Sequence, residues 1–270
     1  MTAHPLKDHS ATDPAYLTTP HGTRIAFHRH PGKGPGVMFL GGFMSDMEGS
    51  KALALDAWCR REGRAFVRFD YQGHGRSDGP FADGTIGLWS RDALAVLDSL
   101  TTGPQILVGS SMGGWIALKL ARARPNRVRG LVGVAAAPDF TARLWNELAE
   151  PQRRMIETHG FIDMPCAYGD APYRLTKALF EDGWRERIAA APLPLDIPVR
   201  LIQGTGDPDV PWPDALALAG RLKEGKGPKV ADVEIILVPG GDHRLSGPAD
   251  LARLIRVTDS LIRCPSSPEY

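Results

Sequence analysis

The feature that most constrains this chain is Gly109-Ser110-Ser111-Met112-Gly113-Gly114, set directly after the apolar run 105–108 and directly before the Ala- and Leu-rich segment 112–124. A short buried strand that turns straight into a helix must reverse within one or two residues, so small residues flank the turn. A side chain at the apex then stands clear of the sheet. The helix start that follows offers backbone N–H groups and a favourable dipole to developing negative charge. In the pattern G-x-S-x-G the apex falls on Ser111, and Ser110 takes the variable position. A glycine-rich turn with an idle serine has the same letters; the strand before it and the helix after it favour a nucleophile.

The rest of the chain supplies a matching scaffold. Apolar or β-branched runs at 37–40, 65–69, 128–135, 199–203 and 233–238 alternate with helical periodicity at 50–62, 89–100 and 250–262. That alternation predicts an α/β fold with a mostly parallel sheet and helices on both faces. Residues 16–28 read as an opening hairpin that turns at His21 and Gly22. Between Pro138 and Pro198 the pattern changes to helical pieces at 141–158 and 173–190, with prolines and aromatics interspersed. Such a stretch is too long for a plain loop. Its place between two strands, at the carboxyl edge of the sheet, predicts a lid over the ligand crevice at about 139–192. One domain of 1–270 with that insertion is expected.

Composition narrows the partners. Lys and Arg number 32 against 31 Asp and Glu, a formal net charge of +1. This leaves no field for nucleic acid or a membrane surface. No apolar stretch approaches the length of a membrane span, so no stable membrane insertion is expected. Cys59, Cys166 and Cys264 have no metal-ligand spacing and read as free thiols in a reducing compartment. The polar segment 1–19 resembles neither a secretory signal nor an Arg-rich transit peptide, so the cytoplasm is the expected location. Without H-E-x-x-H or a Cys/His cluster, neither a metal nor another cofactor is expected.

The elbow at Ser111, with Asp70-Tyr71-Gln72-Gly73-His74-Gly75-Arg76-Ser77, resembles the α/β-hydrolase fold. In that fold the catalytic order is serine, then acid, then histidine. Of eight histidines, His243 in Gly240-Gly241-Asp242-His243 follows the last strand and is the expected base. The acid candidates are Asp207, Asp209 and Asp139. The G-x-x-D-x-x-V-P run at 204–211 resembles the acid loop of the family and implies Asp207. The oxyanion hole needs two backbone donors: the N–H of Met112, after the nucleophile, and the N–H of Phe43 in Gly41-Gly42-Phe43. Many relatives carry His-Gly at the first two of those positions; here Gly41 replaces the histidine. His74 reads as structural.

The segments 47–54, 67–71, 103–115, 207–212 and 242–244 narrow the resemblance to the family of palmitoyl-protein thioesterases and mycophenolic acid acyl-glucuronide esterases. It implies a serine hydrolase that cleaves carboxylic esters or thioesters through an acyl-enzyme, with acyl-proteins, acyl-CoA or acyl glucuronides as substrates. The alternatives are a small-ester carboxylesterase or lipase, and a noncatalytic receptor on the same fold. Trp115, Trp145 and Trp184 are candidate substrate contacts, with Phe43 beside them. Arg153, Arg154 and Arg174 are candidate partners for an anionic leaving group, although a solvated helix face explains each of them better.

Overall fold

Strands that are apolar on both faces must be covered from both sides. Strand β3 (Lys33–Leu40) illustrates this, since Val37 and Phe39 enter one buried cluster while Met38 and Leu40 enter the other. The computed structural model describes residues 13–165, 172–188, 191–223 and 232–263. Cys166 and Cys264 lie outside them.

The chain opens with the antiparallel pair β1 (Ala15–Thr18) and β2 (Arg24–His30), the hairpin expected around His21 and Gly22. After β3 come α1 (Ser50–Arg61), β4 (Arg64–Phe69), α2 (Ile86–Leu100), β5 (Gln105–Ser110), α3 (Met112–Ala123) and β6 (Val128–Val134). The sheet is completed by β9 (Val199–Gly204) and β10 (Val233–Val238), with α7 (Trp212–Lys223) between them and α8 (Pro248–Arg263) after them. The strand order is β1-β2-β4-β3-β5-β6-β9-β10, parallel from β4 to β10. Helices α2, α3 and α7 contribute to one core cluster, α1 and α8 to the other. The chain leaves β3 toward β4 and leaves β5 toward β6, so a crevice opens outside the carboxyl ends of β3 and β5.

Between β6 and β9 lie α4 (Phe140–Glu147), α5 (Glu150–His159), the strands β7 (Phe161–Met164) and β8 (Tyr173–Thr176), and α6 (Lys177–Arg185). The hairpin is a departure from the helix expected over 173–190. Leu175 is buried, and Arg174 forms paired hydrogen bonds of 2.8 and 2.9 Å with Asp163 on the facing strand. These contacts across the ladder outweigh the helical spacing that follows. Lys119 on α3 pairs with Glu186, and the Asp182 carboxylate accepts the Gly87 N–H at 2.7 Å, so the segment is fastened to the main body. Among the described residues no helix is long and apolar enough to cross a membrane.

A buried ion network carries the loop that follows β3. Asp56 on α1 accepts from Arg68 Nε at 2.9 Å and Arg60 Nε at 2.6 Å, and His30 Nε2 stands 3.3 Å away. Arg68 also donates to the Met47 carbonyl at 2.8 Å and to Glu48 at 2.6 Å. Burial works against the Asp56 carboxylate, but the hydrogen bonds from Arg68 and Arg60 outweigh it and hold its pKa below the ordinary aspartate value. Burial also pushes the Cys59 thiol up to about 12, which fits a structural role. Arg68→Leu strands part of this charge and is expected to cost about 3 kcal/mol in urea unfolding. Arg68→Lys is expected to recover less than half of that, because an ammonium cannot span the same three acceptors.

Candidate active site

The backbone at the end of β5 explains why glycines bracket Ser111. Ser111 sits at φ +53, a conformation that costs of order 1–3 kcal/mol for a residue with a side chain. Hydrogen bonds hold it there: Ser111 N donates to Val134 O at 2.9 Å, and Ser111 O accepts from Gly114 N at 2.9 Å and Ala137 N at 3.1 Å. A Cβ on Gly109 would stand 2.3 Å from Gly113 O, and one on Gly113 would stand 2.1 Å from Leu40 O. Only glycine lets the first turn of α3 approach β3 so closely. The loop after β3 meets the same point, since a Cβ on Gly42 would lie 3.5 Å from Ser111 Cβ.

The loops after β9 and β10 bring the other two predicted residues to this apex. His243 Nε2 is 3.2 Å from Ser111 Oγ, and His243 Nδ1 is 2.9 Å from Asp207 Oδ2. A carboxylate only accepts, so it fixes the proton on Nδ1 and leaves the Nε2 lone pair facing the serine hydroxyl. Asp207 Oδ1 accepts from the backbone N–H groups of Asp209 and Val210, both at 2.9 Å, and Oδ2 accepts from Gln203 Nε2 at 3.0 Å. Burial opposes ionisation of Asp207; the His243 hydrogen bond and the two backbone donors outweigh it and hold its pKa below the ordinary aspartate value. The loop that carries His243 is tied down in turn, with Lys51 Nζ donating to Arg244 O at 2.5 Å and Leu245 N to Asp242 Oδ1 at 2.8 Å.

The other acid candidates serve elsewhere. Asp209 contributes its backbone N–H to Asp207. Asp139 accepts from Ile188 N at 2.9 Å and faces Arg187 at 3.7 Å. Ligand atoms of Asp207, Asp209 and His243 lie within 4.8 Å of one another. This is a poor metal site, because the Asp207–His243 hydrogen bond places a proton on Nδ1, where a metal would need a lone pair.

Phe43 follows Gly42 in the loop beside Ser111, and Met112, fully buried, opens α3. The Phe43 ring is the hub of an aromatic cluster, with centroids 5.0 Å from Phe81, 5.9 Å from Trp89, 5.6 Å from Phe140 and 5.9 Å from Tyr173. Trp115 is fully buried behind it, edge-on to Phe140 at 5.9 Å. Phe81 and Trp89 were not among the expected site residues. Phe81 follows a turn that reads as polar, and Trp89 reads as an ordinary core position of α2.

Trp145 and Trp184 fall on the insertion and line a different space. With Thr141, Phe180 and Lys177 among others, they enclose a groove of about 630 Å³ whose lining includes none of Ser111, Asp207 and His243. Trp145 packs on Phe180 at 5.0 Å, and Trp184 is 61% exposed beneath the Arg187 guanidinium. Both residues line this groove between α4 and α6. Arg174 is engaged by Asp163 and stacks on Phe161, and Arg154 pairs with Glu150 one turn away. Arg154 thus lies on a solvated helix face, whereas Arg174 stands on strand β8 instead of a helix.

Comparison with known proteins agrees with this architecture. The bovine (Bos taurus) protein named palmitoyl-protein thioesterase ABHD10, mitochondrial, is 38% identical over 252 residues, 93% of this chain and 80% of that protein. Its human (Homo sapiens) counterpart is 37% identical over the same length. The structure of mouse alpha/beta hydrolase domain-containing protein 10 superposes with a TM-score of 0.84 at 38% identity, covering 93% of this chain and 98% of the other. A putative hydrolase from Agrobacterium vitis S4 gives 0.87 at 39% identity, with 93% and 99% covered. The relatives' mitochondrial names overturn the cytoplasmic expectation. Cysteines without metal-ligand spacing and a balanced net charge do not identify a compartment. Residues 37–254 match the family model described as the alpha/beta hydrolase family, and the chain belongs to that family.

Proposed function

We propose that this chain hydrolyses carboxylic esters and thioesters through an acyl-enzyme on Ser111. The observation that carries this reading is the unbroken line from Asp207 Oδ2 through His243 to Ser111 Oγ, at 2.9 and 3.2 Å, ending on a strained elbow. In this mechanism His243 Nε2 takes the hydroxyl proton as Oγ attacks the acyl carbon, and Asp207 stabilises the imidazolium that forms. The Phe43 and Met112 N–H groups receive the oxyanion. Collapse expels the alcohol or thiol, which leaves with the proton from His243. Water then repeats the sequence on the acyl-serine and releases the acid.

The proposed substrate carries a medium-to-long acyl chain, and the thioester of an acylated protein or acyl-CoA is the preferred class. Two observations support this: the aromatic walls around Phe43, and the names of relatives 37–38% identical. Phe43, Phe140 and Tyr173, backed by Trp115, form the acyl slot. The stretch 139–192 acts as its lid within a single α/β domain. No cofactor enters this scheme.

Ser111→Ala is expected to lower kcat by about 10⁴ or more while leaving the fold intact. Mass spectrometry after fluorophosphonate treatment should find the adduct on Ser111; an adduct on Ser110 would reject the assignment.

Asp207→Asn is expected to lower kcat by roughly 10³ to 10⁴ by permitting the wrong imidazole tautomer, with Asp139→Asn far milder. Because its folded pKa lies below the ordinary 3.8, Asp207 contributes stability that is complete above that value and lost as pH falls through the folded one. Urea unfolding of Asp207→Asn below pH 4 should therefore show a flatter acid limb than the parent.

Across nitrophenyl esters and acyl-CoAs of two to sixteen carbons, kcat/KM should rise a few-fold per methylene until the slot is full, since each buried CH₂ is worth about 0.8 kcal/mol. An optimum at acetyl, or no thioester cleavage at any length, would reject the slot.

A further inference from the structure

The loop that presents Phe43 is held in a conformation its own residues do not favour. Ser45 N donates to Gly42 O at 3.1 Å, which closes a turn with Phe43 and Met44 at its centre. Met44 lies at φ +57. A positive φ at the third residue is the type II pattern, in which glycine or asparagine is the usual occupant. A methionine there costs of order 1–3 kcal/mol, so something outside the turn must hold the central peptide.

That hold comes from His74. Its Nε2 accepts the Met44 N–H at 3.2 Å, and its Nδ1 stands 3.2 Å from the Gln72 carbonyl, which can only accept. The two contacts demand one tautomer: the proton on Nδ1 and a lone pair on Nε2. The imidazole is 3% exposed and caged edge-on by Tyr71, Phe81 and Trp89 at 5.6, 5.2 and 5.1 Å. Burial pulls its pKa down to about 4, so the Nε2 lone pair persists at neutral pH. The same turn holds the far end of the loop, where Asp70 Oδ1 accepts the Met47 N–H at 2.7 Å.

We propose that His74 is a positioning residue for the oxyanion hole, its Nε2 latching the Phe43–Met44 peptide so that the turn keeps the Phe43 N–H on the reacting carbonyl. This rests on the reading of Phe43 as an oxyanion donor, and it gives the histidine of the 70–77 turn a part in the reaction without contact with substrate. His74→Leu fills the cage and removes the acceptor; His74→Gln offers an amide oxygen in its place.

The expected result for His74→Leu is a fall in kcat of about 10² with KM within threefold, the size seen when one oxyanion donor is lost. Affinity for an acyl trifluoromethyl ketone should fall by the same factor, and His74→Gln should recover at least tenfold of both. Urea unfolding of each variant restricts the comparison to folded protein. If His74→Leu does not fold, the ketone affinity of His74→Gln and His74→Asn decides, because the shorter amide does not reach Met44 and should bind at least tenfold more weakly. Ketone affinity unchanged in folded His74→Leu, or lost equally in His74→Gln, overturns the proposal.

Phe43→Pro and Phe43→Ala test the underlying donor separately. Proline suits the second position of a type II turn and lacks the N–H, whereas alanine keeps the N–H and loses the ring. If Phe43→Pro is no slower than Phe43→Ala, the donor reading fails. If only Phe43→Pro is slow and His74→Leu matches the parent, the donor stands and the latch fails.

Discussion

The contact on which the rest of this molecule depends is between two stretches of backbone, where Gly113 lies against the carbonyl oxygens of Leu40 and Gly41. It brings the first turn of α3 onto the end of β3, so the two loops that flank the sheet's crevice converge on one point. Strain at Ser111 is the counterpart of that approach. What sustains it is the burial around it: Met112, Trp115, Ile116, Ala117 and Leu118 are all fully enclosed. A helix so firmly seated on the sheet leaves the elbow little freedom to relax into a commoner conformation.

Electrostatics then divides four buried aspartates by depth and partners together. Asp70 and Asp92 are raised by burial, which the backbone N–H groups and, for Asp92, His21 only partly offset. Asp56 and Asp207 are lowered, the first by two guanidinium groups and the second by an imidazole with two backbone donors. Asp70 and Asp56 organise the loop after β3, while Asp207 reaches the crevice itself. Gln203 adds a neutral donor to the oxygen that His243 uses, so the carboxylate plane is fixed from two directions. An amide can do this without adding a positive charge that competes with the imidazolium for the carboxylate.

Local pattern carries some of this and long-range packing the rest. The elbow, the parallel strands of the main sheet and the loop positions of Asp207 and His243 are legible because each depends on a few adjacent residues. The hairpin of β7 and β8 is not, since Tyr173-Arg174-Leu175-Thr176 becomes a strand only when Asp163 stands opposite. Helix α7 does carry a readable spacing, with Ala215, Leu218, Ala219 and Leu222 buried, but it starts straight after a loop rich in proline and aspartate that obscures its beginning. The aromatic cage around His74 draws on Tyr71, Phe81 and Trp89, which share no motif. Trp145 and Trp184 share a groove on the insertion that their spacing in the sequence does not reveal, because helix packing decides which space each ring lines.

Asp139 holds together the place where the chain leaves the sheet and the place where it comes back. It sits at φ +58 between β6 and α4, and its carboxylate accepts the N–H of Ile188, 49 residues further on. An excursion whose two ends are fastened to each other behaves as a module. The entropy of closing such a loop grows only with the logarithm of its length. Residues within it are therefore free to be gained, lost or exchanged over evolutionary time while β6, β9 and the elbow between them and β3 stay in register. Change can then act on the sheet and on the insertion at different rates.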